Sequence, residues 1–218
     1  MARRRYPDCV ARDGSARLRA LDEIVALPKR SPLAEELARA LGAASSLHGL
    51  RSDLGPVPVR PTRTTSEAGA YRFRKRDPID IRVSARSGRV AVGFLHELGH
   101  FVDHQLGYDP RNRIWASAIH PAFAAWRSAA SLLDGRPFPG GRSRRRYFAS
   151  AHEVWARCYA QTALRRSGEQ ALVEQLETLQ RDDDPFVWPE EAFERVALEV
   201  ERVFERLGLT QLALPLAA

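Results

Sequence analysis

Apolar residues recur every three or four positions over several stretches of the chain and alternate with polar ones over one short stretch between them. The 3.6-residue period predicts amphipathic helices at roughly 15–28 and 32–48, the second opened by Ser31 as N-cap with Pro32 at the first helical position. From 49 to 70 the chain turns to Gly, Pro, Thr and Ser ("LGPVPVRPTRTTSEAG"), which cannot hold a helix and reads as a connector or an irregular edge. "AYRFR" and "IDIRV" follow, the latter alternating Ile79, Ile81 and Val83 with Asp80 and Arg82, the period of a strand with one buried face.

After "SARSGR" the helical period returns at about 89–106, where Ala91, Phe94, Leu95, Leu98, Phe101, Val102 and Leu106 form one stripe and His96, His100 and Asp103 the other flank. Further helices fit 120–133, 147–164, 169–180 and 189–208, the last ending at Gly208, and "DGRPFPGGRSRRR" (134–146) reads as an exposed loop. The sum is a helix-rich α+β protein with a small mixed or antiparallel sheet packed on the 89–106 helix. It divides into an N-terminal helical segment and connector at 1–60 and a principal domain at 61–218. No internal repeat is visible.

Composition narrows the function classes. With 218 residues and 44% hydrophobic content the chain can bury a real core, and no apolar run is long enough to cross a bilayer. The N-terminus "MARRRYPDCVARDG" has the positive charge of a secretion signal without its apolar segment, so the expected compartment is the cytoplasm, with no membrane partner. Cys9 and Cys158 alone make no disulfide framework and fit two free thiols. A net charge of +7 raises the possibility of a nucleic-acid partner. Of the 34 basic residues, however, only Lys29 and Lys75 are lysine, a bias that points to codon usage rather than to phosphate contacts. The clusters "RFRKR" (72–76) and "RSRRR" (142–146) read first as solvated surface, with selection of acidic substrates as a second reading for the latter.

The polar flank of the 89–106 helix carries the chemistry. It spells HELGH, and residues four apart lie on one helical face, so His96 and His100 can aim two imidazole nitrogens at one point. Glu97 falls beside such a metal rather than beneath it, where a carboxylate can accept a proton from zinc-activated water. Gly99 costs about 1 kcal/mol in a helix interior and predicts close approach of a neighbouring element.

A catalytic zinc needs a third protein ligand. Leu106 and Asp103 stand where an extended HExxHxxGxxH pattern needs His and Gly, so that arrangement is excluded. His104 is rotated by about 80° from His96 about the helix axis and cannot easily join it. Glu153 in "YFASAHEVWAR" is the preferred candidate, with His152 and Asp103 as fallbacks. Ser150 and Glu153 also spell a capping box, in which the glutamate only folds back on a helix N-terminus, and both readings stay open. Asp103 either orients a ligand histidine or pairs with an arginine, and Arg157 either pairs with Glu153 or holds a substrate carbonyl. The four tryptophans are expected in packing roles, and His48 and His120 at surface or capping positions.

The motifs "HELGHFVD" and "YFASAHEVWAR" together resemble the catalytic core of gluzincin metallopeptidases, particularly the lethal-factor-like family and the peptidase domains of phage and mobile-element polyproteins. There the second helix carries its glutamate in a pattern close to Y-x-x-S-x-x-E-x-x-A-R, matched by Tyr147, Ser150, Glu153, Ala156 and Arg157. In the lethal-factor branch the tyrosine lies one residue further from the glutamate. The likeness covers roughly residues 79–165 and implies a zincin-like fold, Zn2+ held by His96, His100 and Glu153, Glu97 as general base, and Tyr147 as donor to the tetrahedral intermediate. The expected activity is therefore zinc-dependent hydrolysis of a protein or peptide substrate, with "IDIRV" able either to accept a peptide as an added strand or to lie inside the sheet. The rival expectation is a basic nucleic-acid- or protein-binding module of a mobile element with a structural or inactive zinc site.

Overall fold

A computed structural model describes residues 17–64, 68–133 and 140–210 of the chain; Cys9 and the 134–139 part of the expected loop lie outside the described residues. The first predicted helix is replaced by strand β1 (Leu18–Arg19), a single helical turn α1 (Leu21–Ile24) and strand β2 (Val25–Ala26). Leu21 and Ile24 do point into the core as a helical period requires. Main-chain pairing outweighs that local preference: Leu18 and Arg19 pair antiparallel with β3 (Leu50–Arg51), and Val25 and Ala26 pair with β4 (Val57–Thr62). Helix α2 (Ala34–Leu47) forms, but it starts two residues later than expected, with Leu33 rather than Ser31 at the N-cap; Pro32 lies in the preceding turn, where the Ser31 hydroxyl accepts from the Leu33 amide at 3.2 Å.

The Pro-rich connector contains β4, a central strand of the main sheet. The strand order is β2-β4-β6-β5, where β5 is Gly69–Arg74 and β6 is Asp77–Ser84; β5 runs antiparallel to β6 and the other pairs are parallel, so the sheet is mixed. Two prolines survive in this strand because neither removes a ladder bond. Thr62 accepts from the Ala85 amide, so Thr62 and Arg60 face β6, and Pro61 faces the other side beyond the end of β2. Pro58 faces β6 but precedes the start of that pairing at Val59.

"IDIRV" lies inside this sheet, in β6, and β5 is the edge. The expected alternation of β6 is broken at its start, where Ile79 is 45% exposed and Asp80 is buried. Asp80 takes two bonds of 2.6 Å from the Arg72 guanidinium, with Arg60 at 3.3 Å and Arg82 at 3.7 Å. Arginine stems thus cover the outer sheet face in place of an apolar layer.

The inner face packs on α3 (Val90–Gly107), in which every residue from Val90 to His104 is buried. A helix enclosed on all sides needs apolar residues all round, and the few polar ones here must each be answered. Opposite the sheet, α3 crosses α7 (Ala151–Arg166) at Gly99: a Cβ there would stand 3.0 Å from Ala156 Cα, the close approach predicted for this glycine. Between them in sequence come the turn α4 (Ala116–Ile119), helix α5 (Ala124–Ala130) and helix α6 (Arg142–Phe148). The "RSRRR" run is therefore helical rather than looped. Its exposed arginines are followed in the same helix by Tyr147 and Phe148, and only at Ala149–Ser150 does the chain break before α7, so the predicted 147–164 helix is two helices. Helices α8 (Gln170–Arg181) and α9 (Glu190–Arg206) complete one core that also includes Leu37 and Leu41 of α2. His48, expected at a surface or capping position, is the C-cap residue of α2 and is wholly buried: it stacks on Phe204 at 3.7 Å and meets the Tyr159 hydroxyl at 3.0 Å. Burial pushes its pKa down to about 4. No helix among the described residues is long and apolar enough to cross a membrane.

Candidate metal centre

Helices α3 and α7 bring His96, His100 and Glu153 to one point. His96 Nε2 lies 3.5 Å from Glu153 Oε2 and His100 Nε2 lies 3.2 Å from Glu153 Oε1, and the three candidate ligand atoms fall within 4.8 Å of one another. The imidazole rings stand 4.7 Å apart and nearly perpendicular, as two side chains one helical turn apart do when they converge. Glu153 is 1% exposed and each histidine 7%. Burial favours the protonated acid, but the nearby His100 and His96 nitrogens outweigh it and hold the Glu153 carboxyl well below the usual carboxylate range.

The capping-box reading of Glu153 fails on geometry. Ser150 occupies the N-cap of α7 without a side-chain cap bond, and its hydroxyl donates instead to the Tyr147 carbonyl at 2.6 Å. Arg157 does not pair with the Glu153 carboxylate either. Its guanidinium donates to the carbonyls of Glu153, Phe148 and Pro185 and lies 4.8 Å over the Trp188 ring, binding the start of α7 to its neighbours.

The donor set can hold a metal ion. Three buried N and O donors converge, and His96 Nδ1, His100 Nδ1 and Glu153 Oε1 make no hydrogen bond. Such a cluster is costly to bury unless something compensates it, and a divalent cation bound by two imidazoles and a carboxylate would do so.

The remaining polar residues of α3 have other work. Asp103, proposed as a ligand orienter, a fallback ligand or an arginine partner, instead accepts from the Ser117 amide at 2.7 Å and its hydroxyl at 2.5 Å, which pins α4 to α3. Burial pushes its pKa up to about 7 against those bonds. His104 lies between the Tyr71 hydroxyl and the Lys75 carbonyl, 3.0 Å from each, so it fastens the edge strand to α3. Donation from Nε2 to that carbonyl leaves Nδ1 to accept from the tyrosine. Burial brings its pKa down to about 4. His152, the other fallback ligand, is 3.9 Å from Glu153 Oε1 and stacks on Trp115 with ring centroids 5.1 Å apart, at the margin of the cluster.

Glu97 lies beside the cluster, and its Oε2 accepts from the Tyr71 amide of the edge strand at 2.7 Å. The fit is tight, since a Cβ on Gly69 would fall 2.6 Å from Glu97 Cγ. Together these residues floor a cleft of about 860 Å³ whose walls include Tyr71 and Phe73 of β5, Trp115, Phe186, and Arg144, Tyr147 and Phe148 of α6. Tyr147 is 53% exposed at the rim, its ring 5.8 Å from that of His152.

Sequence reasoning missed Gly69, Tyr71 and Phe186, and placed Trp115 among packing residues although it walls the cleft; Trp126, Trp155 and Trp188 are buried as expected. Only Gly69, a glycine ahead of a strand pattern, offered a signal. Comparison of the chain with models of known protein families, with curated proteins and with solved structures finds no match.

Proposed function

We propose that the protein is a zinc-dependent metallopeptidase of the gluzincin type, with a zincin-like arrangement of sheet, HELGH helix and glutamate-bearing helix. The observation that carries this reading is the convergence of His96, His100 and Glu153 at the floor of an open cleft, with a fourth polar residue, Glu97, held beside them. Two histidines and a glutamate are a donor set that suits zinc and leaves a coordination position for catalysis. When bound, the metal would supply Lewis acidity to the scissile carbonyl and lower the pKa of water.

The chain's own residues would do the rest. Glu97 would take a proton from the attacking water and pass it to the leaving amine. Its bond from the Tyr71 amide fixes the carboxylate along the cleft floor without consuming its second oxygen in that contact. Tyr147 would donate to the developing oxyanion, a contribution of about 2.7–4 kcal/mol where geometry is good. The edge strand β5, rather than "IDIRV", would accept an extended peptide, because β5 is paired on one side only, to β6.

The test is Glu97→Gln in the zinc-loaded chain against a peptide library. The variant should keep its metal while cleavage falls by about 10²–10⁴-fold. Unchanged cleavage would remove Glu97 from the mechanism, and a wild-type protein that binds zinc but cleaves nothing would favour a binding module with a structural metal.

A further inference from the structure

The cationic surface is not spread evenly around the cleft. Helix α6 presents Arg142, Arg144, Arg145 and Arg146, all exposed, and none of them is in an ion pair among the described residues. Arg144 alone of the four lines the cleft. Its stem packs over Gly140, where a Cβ would stand 2.7 Å from Arg144 Cδ, and its guanidinium lies 5.6 Å from the centroid of the Phe148 ring, another cleft wall. The edge strand ends in a second basic group: Phe73 lines the cleft, and Arg74, Lys75 and Arg76 follow it, also without an ion pair among the described residues. By contrast the only carboxylates lining the cleft among the described residues are Glu97 and Glu153, one bonded to Tyr71 and the other facing the two histidines.

We propose that the cleft selects acidic peptides, with an Asp or Glu side chain flanking the scissile bond held by Arg144 at the α6 wall. This rests on the peptidase reading above and names its substrate class. A cation in the cleft wall attracts an acidic chain and fixes its placement. Among the described residues Arg144 is the one arginine or lysine in the cleft lining, whereas a nucleic-acid strand needs a basic side chain for each of several phosphates.

The experiment compares two peptide sets that share random central positions and differ in flanks of Glu or of Lys, cleaved by the zinc-loaded full chain and read by mass spectrometry. Glu-flanked peptides should be cleaved with a kcat/KM about tenfold higher at low salt, a ratio that shrinks as salt rises. Arg144→Glu should lower that ratio by about five- to tenfold, and Arg145→Glu, an equal change of charge on the same helix outside the cleft lining, by no more than about twofold. Equal cleavage of the two sets, equal effects of the two substitutions, or inhibition by a single-stranded oligonucleotide as strong as by a Glu-flanked peptide would each overturn the proposal while leaving the peptidase reading standing. Cleavage of neither set by a chain that holds zinc would overturn the peptidase reading and the substrate class with it.

Discussion

Asp80 and Glu153 are carboxylates sealed from solvent, and the protein answers their charges in opposite ways. Asp80 receives both nitrogens of the Arg72 fork at 2.6 Å, with Arg60 and Arg82 near its other side. That bond to Arg72 is the chief reason its pKa lies below the ordinary carboxylate value. Every partner is a permanent cation, so the group is complete as folded. Glu153 faces two imidazole nitrogens, each able to present a lone pair, while its Oε1 and the far nitrogens of both rings have no hydrogen bond. The nearest guanidinium on its own helix, Arg157, is spent on main-chain carbonyls. A buried carboxylate surrounded by fixed cations is architecture. One that shares a point with two neutral-capable nitrogens is arranged for a cation taken from solution.

This contrast can be broken experimentally. The largest effect expected is on metal affinity: Glu153→Ala and His100→Ala should each weaken zinc binding by more than about 100-fold, since losing a ligand exceeds the loss of a residue that only supports one. Asp80→Asn should leave affinity unchanged in the same equilibrium titration. Next, zinc at a hundred times its Kd should stabilise the wild-type fold by about 2.7 kcal/mol, a rise in Tm of about 5–10 °C by calorimetry. Asp80→Asn should lower the starting Tm and keep that increment, whereas Glu153→Ala should lose it. Gly69→Ala separates the ligands from the base: its Cβ would collide with Glu97 Cγ and with the Arg82 carbonyl, 2.6 and 2.9 Å away. Cleavage should fall by about tenfold or more with zinc stoichiometry intact. The smallest effect is in acid. Because the folded pKa of Asp80 is depressed, its stabilisation is present above the ordinary carboxylate range and is lost as pH falls through the folded value. Between about pH 5 and about pH 3, Tm should fall less steeply in Asp80→Asn than in the wild type.

The same two carboxylates show what can be read from the chain before it folds. The centre was legible because its parts are local: HELGH sets two side chains on one helical face, Gly99 announces a close neighbour, and the glutamate that arrives there sits in a helix with its own period. Glu153 could not be separated from a capping residue by sequence, because that choice depends on where Ser150 sends its hydroxyl. Asp80 was misplaced. Alternation put it on the solvent face, and only three arginines from β4, β5 and β6 make burial there tolerable. Long-range pairing also hid β2 inside a helical period and β4 inside a proline-rich connector, and decided between the edge and inner readings of β6 in favour of the inner one. His48 was expected at a surface or capping position; it is the C-cap residue of α2, buried because two partners satisfy both of its nitrogens. Each of these depends on residues distant in sequence, which periodicity does not see.

The most direct measurement of the central claim is the zinc content, after loading and gel filtration, of the wild-type chain, Asp80→Asn and Glu153→Ala. The arrangement predicts one zinc per chain in the first two and none in the third. A wild-type chain without zinc, or a Glu153→Ala chain that keeps it, would contradict the assignment of His96, His100 and Glu153 as a metal centre.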